Sequence, residues 1–92
     1  MYYRFYADDK SCFEGETLKD CIETIAIFKA ENDADCLYIK EIFAEYVNGR
    51  EKELCAKAIN KANNLIDELY FKEKESLEIA RRDFNFKQYQ LS

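Results

Sequence analysis

The sequence predicts an α+β domain, mainly helical, with an N-terminal β-hairpin packed on three helices, the last of them long. Three observations carry this expectation. Aromatic and polar residues alternate over Tyr2–Ala7. From Leu18 onward, apolar residues recur at helical spacing. Two glycines and no proline are too few for a turn-rich all-β chain. At 92 residues and 48% apolar content, a single domain spanning 1–92 with a modest core is expected.

Alternation over Tyr2–Ala7 sets Tyr3 and Phe5 on one strand face and Tyr2, Arg4 and Tyr6 on the other. Asp8-Asp9-Lys10 reads as a turn, and Ser11–Glu14 as a returning strand, so residues 1–15 form the hairpin. Glu16-Thr17-Leu18-Lys19-Asp20 opens a helix over 17–31. Thr17 is placed to accept first-turn N–H groups, and Asp20 lies near the positive end of the helix dipole. Leu18, Cys21, Ile22, Ile25, Ala26 and Phe28 form its apolar stripe, which stops at Glu31-Asn32-Asp33-Ala34-Asp35.

In the next segment Tyr38, Ile39, Ile42, Phe43, Tyr46 and Val47 fall in pairs four apart, with Lys40, Glu41 and Glu45 opposite. This spacing predicts a helix over 36–48, ended by Asn48-Gly49. The alternative is a strand over 37–46, which would make a three-stranded sheet with the hairpin. From Glu51 a third helix is expected over 51–85. Leu54, Cys55, Ala58, Ile59, Ala62, Leu65, Ile66, Leu69 and Tyr70 form its stripe. At 1.5 Å per residue it would span about 50 Å, against about 22 Å for the first helix. Two shorter helices laid end to end could cover much of it; otherwise its far end overhangs, or breaks near Lys72–Ser76, where Glu73 and Ser76 interrupt the stripe.

The composition removes most catalytic chemistry. There is no histidine to activate a cysteine or serine nucleophile, no glycine-rich phosphate loop, and no carboxylate pair in an evident apolar pocket. No enzyme activity and no cofactor are expected. Cys12, Cys21, Cys36 and Cys55 lack the close pairing of a zinc site, and Cys21 and Cys55 fall on apolar stripes as buried thiols. Asp33 could begin a calcium loop, but Tyr38 stands where that loop needs glycine, so helix capping is the better account. No stretch reaches the roughly 18–20 apolar residues of a membrane span, and Met1–Tyr6 lacks the pattern of a signal peptide. A cytoplasmic location away from membranes is expected.

Charge is unevenly divided. Of 19 acids and 14 bases, net −5, residues 1–49 hold eleven acids and five bases, and residues 50–92 hold eight and nine. That bias is opposite to that of a nucleic-acid binder, so direct DNA or RNA contact is not expected. Asp8, Asp9, Glu14, Glu16, Asp20, Glu23, Glu31, Asp33 and Asp35 are the candidate partner-binding acids, a negative surface suited to a basic protein partner. A purely solubilising surface is the competing reading. Tyr70, Phe71, Leu77, Phe84, Phe86 and Tyr89 are candidate interface residues of the last quarter.

Phe13–Asp20, where a strand runs into a capped helix, resembles the strand-to-helix junction of HicB-like antitoxins through Gly15 and Thr17. The likeness covers under a fifth of the chain, and no function is taken from it. Two functional classes remain. One is a stoichiometric inhibitor that occupies a basic, nucleic-acid-binding surface of a partner, as phage anti-CRISPR proteins and nuclease inhibitors do. The other is a structural or regulatory helical adaptor that homodimerises through its last helix.

Overall fold

The computed structural model describes the backbone of residues 1–91 and the side chains of residues 1–80 and Arg82. Six elements follow one another: β1 (Tyr2–Ala7), β2 (Cys12–Gly15), α1 (Leu18–Glu31), β3 (Ile39–Glu45), β4 (Glu51–Glu53) and α2 (Ala56–Leu91). The strands form one antiparallel sheet in the order β2-β1-β3-β4. The fold is therefore α+β with a four-stranded sheet and two helices, the second one long.

The hairpin forms over the expected residues. Its turn lacks glycine, so Lys10 itself adopts the left-handed conformation at φ 72°. The Asp9 side chain steadies the turn by accepting the Ser11 N–H at 2.9 Å. Thr17 caps α1, its hydroxyl accepting the Asp20 N–H at 3.0 Å. The helix then buries Cys21, Ile22, Ile25, Ala26, Lys29 and Ala30.

The helix expected over 36–48 is instead strand β3. The cause is a β-bulge. Tyr6 pairs with Glu41 but Ala7 pairs with Ile39, so Lys40 is an extra residue on β3. Two outward residues, Lys40 and Glu41, separate the buried Ile39 from the buried Ile42. A spacing of three between inward residues imitates a helix where a regular strand would show two. The alternative strand reading has the right element, but the sheet gains a fourth strand. Glu51–Glu53, placed in the last helix by their neighbours, pair with β3 through Phe43↔Glu53 and Glu45↔Glu51. Asn48-Gly49 thus closes a β3–β4 hairpin and ends no helix. The Gly49 N–H donates to Tyr46 at 2.9 Å, and Gly49 holds φ 80°.

The last helix begins at Ala56, five residues later than expected, with the Cys55 carbonyl accepting from Ala58 and Ile59 at 3.1 Å. Cys55 is consequently exposed at the helix start, against the expected buried thiol, whereas Cys21 is buried as expected. The helix passes Lys72–Ser76 without a break. Its length makes the molecule 60 Å in one direction and 24 and 19 Å in the others.

Both helices cover the same sheet face. Phe5, Ala7, Ile39 and Ile42 from the sheet meet Cys21, Ile22, Ile25 and Ala26 of α1 and Ala62 and Ile66 of α2. Asn63 ties α2 to the sheet by accepting from the Ile39 N–H at 2.9 Å and donating to its carbonyl at 3.0 Å. Among the described residues no layer covers the opposite sheet face.

Candidate protein-docking face

Strand alternation and register decide what the uncovered face displays. β1 contributes Tyr2, Arg4 and Tyr6, and their paired neighbours lie beside them: Cys12 and Glu14 on β2, and Glu41, Phe43 and Glu45 on β3. β4 adds Glu51 and Glu53 opposite Glu45 and Phe43. Five carboxylates thus share the face with Arg4, while Lys10 and Lys40 border it at the bulged end.

Arg4 sits at the centre. Its guanidinium lies 2.6 Å from Glu51, 3.3 Å from Glu14 and 3.4 Å from Glu45, gathering acids from three strands. Burial opposes its charge, but the fields of Glu45, Glu51 and Glu14 outweigh that and raise its pKa. The Tyr2 hydroxyl donates to Glu14 at 2.9 Å, and this hydrogen bond is the main cause of its raised pKa, with desolvation second. Tyr6 and Phe43 meet edge-to-face at 5.8 Å. Glu41 and Glu53 make no ion pair among the described residues. The face is acidic and aromatic, with one cation engaged by three of its five acids.

The nine acids singled out from the sequence are all exposed, but they do not form one surface. Glu14 belongs to the sheet face. Asp8 and Asp9, in the β1–β2 turn, and Asp33 and Asp35, in the α1–β3 loop, line a shallow depression of about 560 Å³ at one end of the sheet. The two loops are joined there by the Asp8 N–H donating to the Tyr38 carbonyl at 2.9 Å. Asp35 is already engaged, accepting from the Tyr70 hydroxyl and lying 3.8 Å from Lys74. Glu16 lies toward the other end, beside Tyr2, Glu45 and Tyr46. Asp20 is in the first turn of α1, Glu23 pairs with Lys19 at 3.9 Å, and Glu31 ends the helix. Among the described residues no three acids or thiols converge to hold a metal ion.

Sequence reasoning missed Glu41, Glu45, Glu51 and Glu53 as site residues, because they share a face only once 39–45 and 51–53 are strands. The signal present was Asn48-Gly49 between two short segments, a hairpin signature.

Of the expected interface residues, Tyr70 belongs to the interior. It is 4% exposed and lies against the buried Lys29, so it offers no docking surface. Phe71 is 66% exposed, and Leu77 is half-buried. The side chains of Phe84, Phe86 and Tyr89 lie outside the described residues.

A third surface feature is an apolar groove of about 480 Å³ between the helices. Leu18 and Ile22 of α1 line it with Leu54, Ala58, Leu65 and Leu69, and Lys19, Glu23, Lys61, Glu68 and Lys72 are interspersed. Comparison with known protein families, curated proteins and solved structures finds no match for this chain.

Proposed function

We propose that the protein is a non-enzymatic interaction module, a stoichiometric inhibitor whose open sheet face occupies the basic, nucleic-acid-binding surface of a partner protein. One observation carries this reading: the sheet face left free by both helices holds five carboxylates against one arginine, with Tyr2, Tyr6 and Phe43 among them. Grouped acids speed encounter with a basic groove, and aromatic side chains supply contact area that charge alone does not. A sheet presents both without the cost of ordering the backbone. This reading moves the docking surface from the dispersed loop acids to Glu14, Glu41, Glu45, Glu51 and Glu53, with Asp8 and Asp9 at its margin.

The test is affinity capture from the native host with a tagged wild-type chain, with a Glu41→Lys/Glu53→Lys chain and with a Glu23→Lys/Glu31→Lys chain. Glu41 and Glu53 do not pair with Arg4, so their reversal leaves the sheet network intact. The first two baits should differ in the partner they retain, the third should match wild type, and nucleic acid should displace the partner. Retention of the same partner by all three baits, or a ternary complex with nucleic acid, would reject the reading.

A further inference from the structure

Arg4 shows how the open sheet face holds a cation. Glu45 of β3 and Glu51 of β4 stand directly opposite each other, and two like charges so placed repel unless a cation joins them. The Arg4 guanidinium joins them with separate N–H groups, Nη2 lying 3.4 Å from Glu45 and Nη1 2.6 Å from Glu51. The next acids along the same two strands lack such a bridge. Glu53 pairs with Phe43, and Glu41 lies two residues from Phe43 on the same face. The two carboxylates are therefore diagonal neighbours, with β-carbons about 7 Å apart. Both residues are exposed. Neither makes an ion pair among the described residues, not even with Lys40 beside Glu41.

Charge and ring together select the chemistry that completes this arrangement. Phe43 stands between the two acids, half-buried and edge-to-face with Tyr6 at 5.8 Å. A guanidinium is planar, always charged and rich in donors, so it can lie on an aromatic ring and reach a carboxylate on either side. An ammonium is a compact, strongly hydrated point charge, which neutralises the carboxylates but gains less from the ring. Arg4 does not serve here, because its guanidinium is already engaged by Glu14, Glu45 and Glu51.

We propose that an arginine side chain of the partner protein seats on Phe43 between Glu41 and Glu53. This inference rests on the open-face reading above and deepens it by naming the side chain that the face receives. Arg4 and the partner's arginine would then neutralise the acids of β3 and β4 in the same way, one from within the chain and one from outside it.

Fluorescence anisotropy at low salt tests it with two labelled peptides of equal charge, (Gly-Arg)4 and (Gly-Lys)4, on the full chain. The wild type should bind the arginine peptide at least about threefold more tightly than the lysine peptide. Glu41→Gln/Glu53→Gln should weaken both and remove the difference. Phe43→Leu keeps the charges and an apolar side chain but removes the ring, so it should lower arginine binding to the lysine level and leave lysine binding unchanged. Circular dichroism checks that each variant keeps its fold. Equal binding of the two peptides by the wild type, with both weakened by Glu41→Gln/Glu53→Gln, would overturn the arginine seat and leave the open-face reading standing. Binding that is indifferent to Glu41→Gln/Glu53→Gln would overturn both, and saturable binding of neither peptide would overturn the arginine seat.

Discussion

The Lys29 ammonium lies 3.1 Å from Asp67 Oδ1, the lysine side chain 1% exposed and the carboxylate side chain 36% exposed. The same ammonium sits 4.8 Å from the centre of the Tyr38 ring and 5.1 Å from that of Tyr70. A charge so deep in a small domain must be matched, and here one carboxylate and two aromatic faces match it. The cluster joins α1, the loop before β3 and α2. Asp67→Asn removes the counter-charge and leaves the ammonium buried. Denaturant unfolding should show a loss of about 2–3 kcal/mol, less than for a fully buried pair because Asp67 is partly solvated. Lys29→Met keeps the volume and removes the charge, and should stay within about 1.5 kcal/mol of wild type. If the two substitutions cost the same, packing and not charge holds the cluster.

The hairpin turn carries a second prediction. Lys10 is held at φ 72° with no glycine to relieve it, which costs a β-carbon residue about 1 kcal/mol. Lys10→Gly removes that strain but loosens the unfolded chain, so the net gain should be below about 1 kcal/mol. A rise in the unfolding midpoint with an unchanged denaturant slope is the expected result. A fall would show that the side chain of Lys10 matters more than its backbone.

The parts legible in the sequence were those where local periodicity and tertiary role agree. Tyr2–Ala7 alternates as a strand with one buried face, and Thr17 caps the helix whose stripe buries Cys21, Ile22 and Ile25. β3 was misread because the extra Lys40 breaks alternation in the one place where a helix and a bulged strand share a spacing of three. β4 is three charged residues, Glu-Lys-Glu, with no apolar signal at all. Its place in the sheet comes from the turn at Gly49 and from pairing with Phe43. The candidate docking face inherits both difficulties, since four of its five carboxylates lie on those two strands. Lys29 escaped notice for a different reason: nothing in a single sequence marks a lysine whose counter-charge stands 38 residues away.

Thiol accessibility gives a third prediction. Cys12, Cys36 and Cys55 are exposed, whereas Cys21 is buried under Gly15, and desolvation pushes its pKa up to about 11. At mildly alkaline pH the thiolate that attacks a labelling reagent is therefore scarce at Cys21 and shielded as well. Three thiols should react in the folded protein and the fourth only after denaturation. A fourth fast thiol would mean that the contact of α1 with β1 and β2 opens readily.

Neighbouring residues of β3 provide the sharpest test of the sheet. Ile42 faces the helices at 1% exposure, and Phe43, one residue on, lies on the open face against Tyr6. A helical segment would set both on one stripe, where truncating either would cost core packing. In the sheet their consequences part. Ile42→Ala leaves a cavity among Phe5, Ala62 and Ile66 and should cost about 2–5 kcal/mol in unfolding experiments. Phe43→Ala loses an edge-to-face contact worth about 0.5–1.5 kcal/mol and opens no cavity. If the open face is the docking surface, the same Phe43→Ala change should weaken partner binding in proportion well beyond its effect on stability. Ile42→Ala, studied under conditions where it remains folded, should bind as wild type. The opposite ranking, with Phe43 the larger in stability and neutral in binding, would place the docking surface elsewhere and would require Phe43 to be covered by part of this chain.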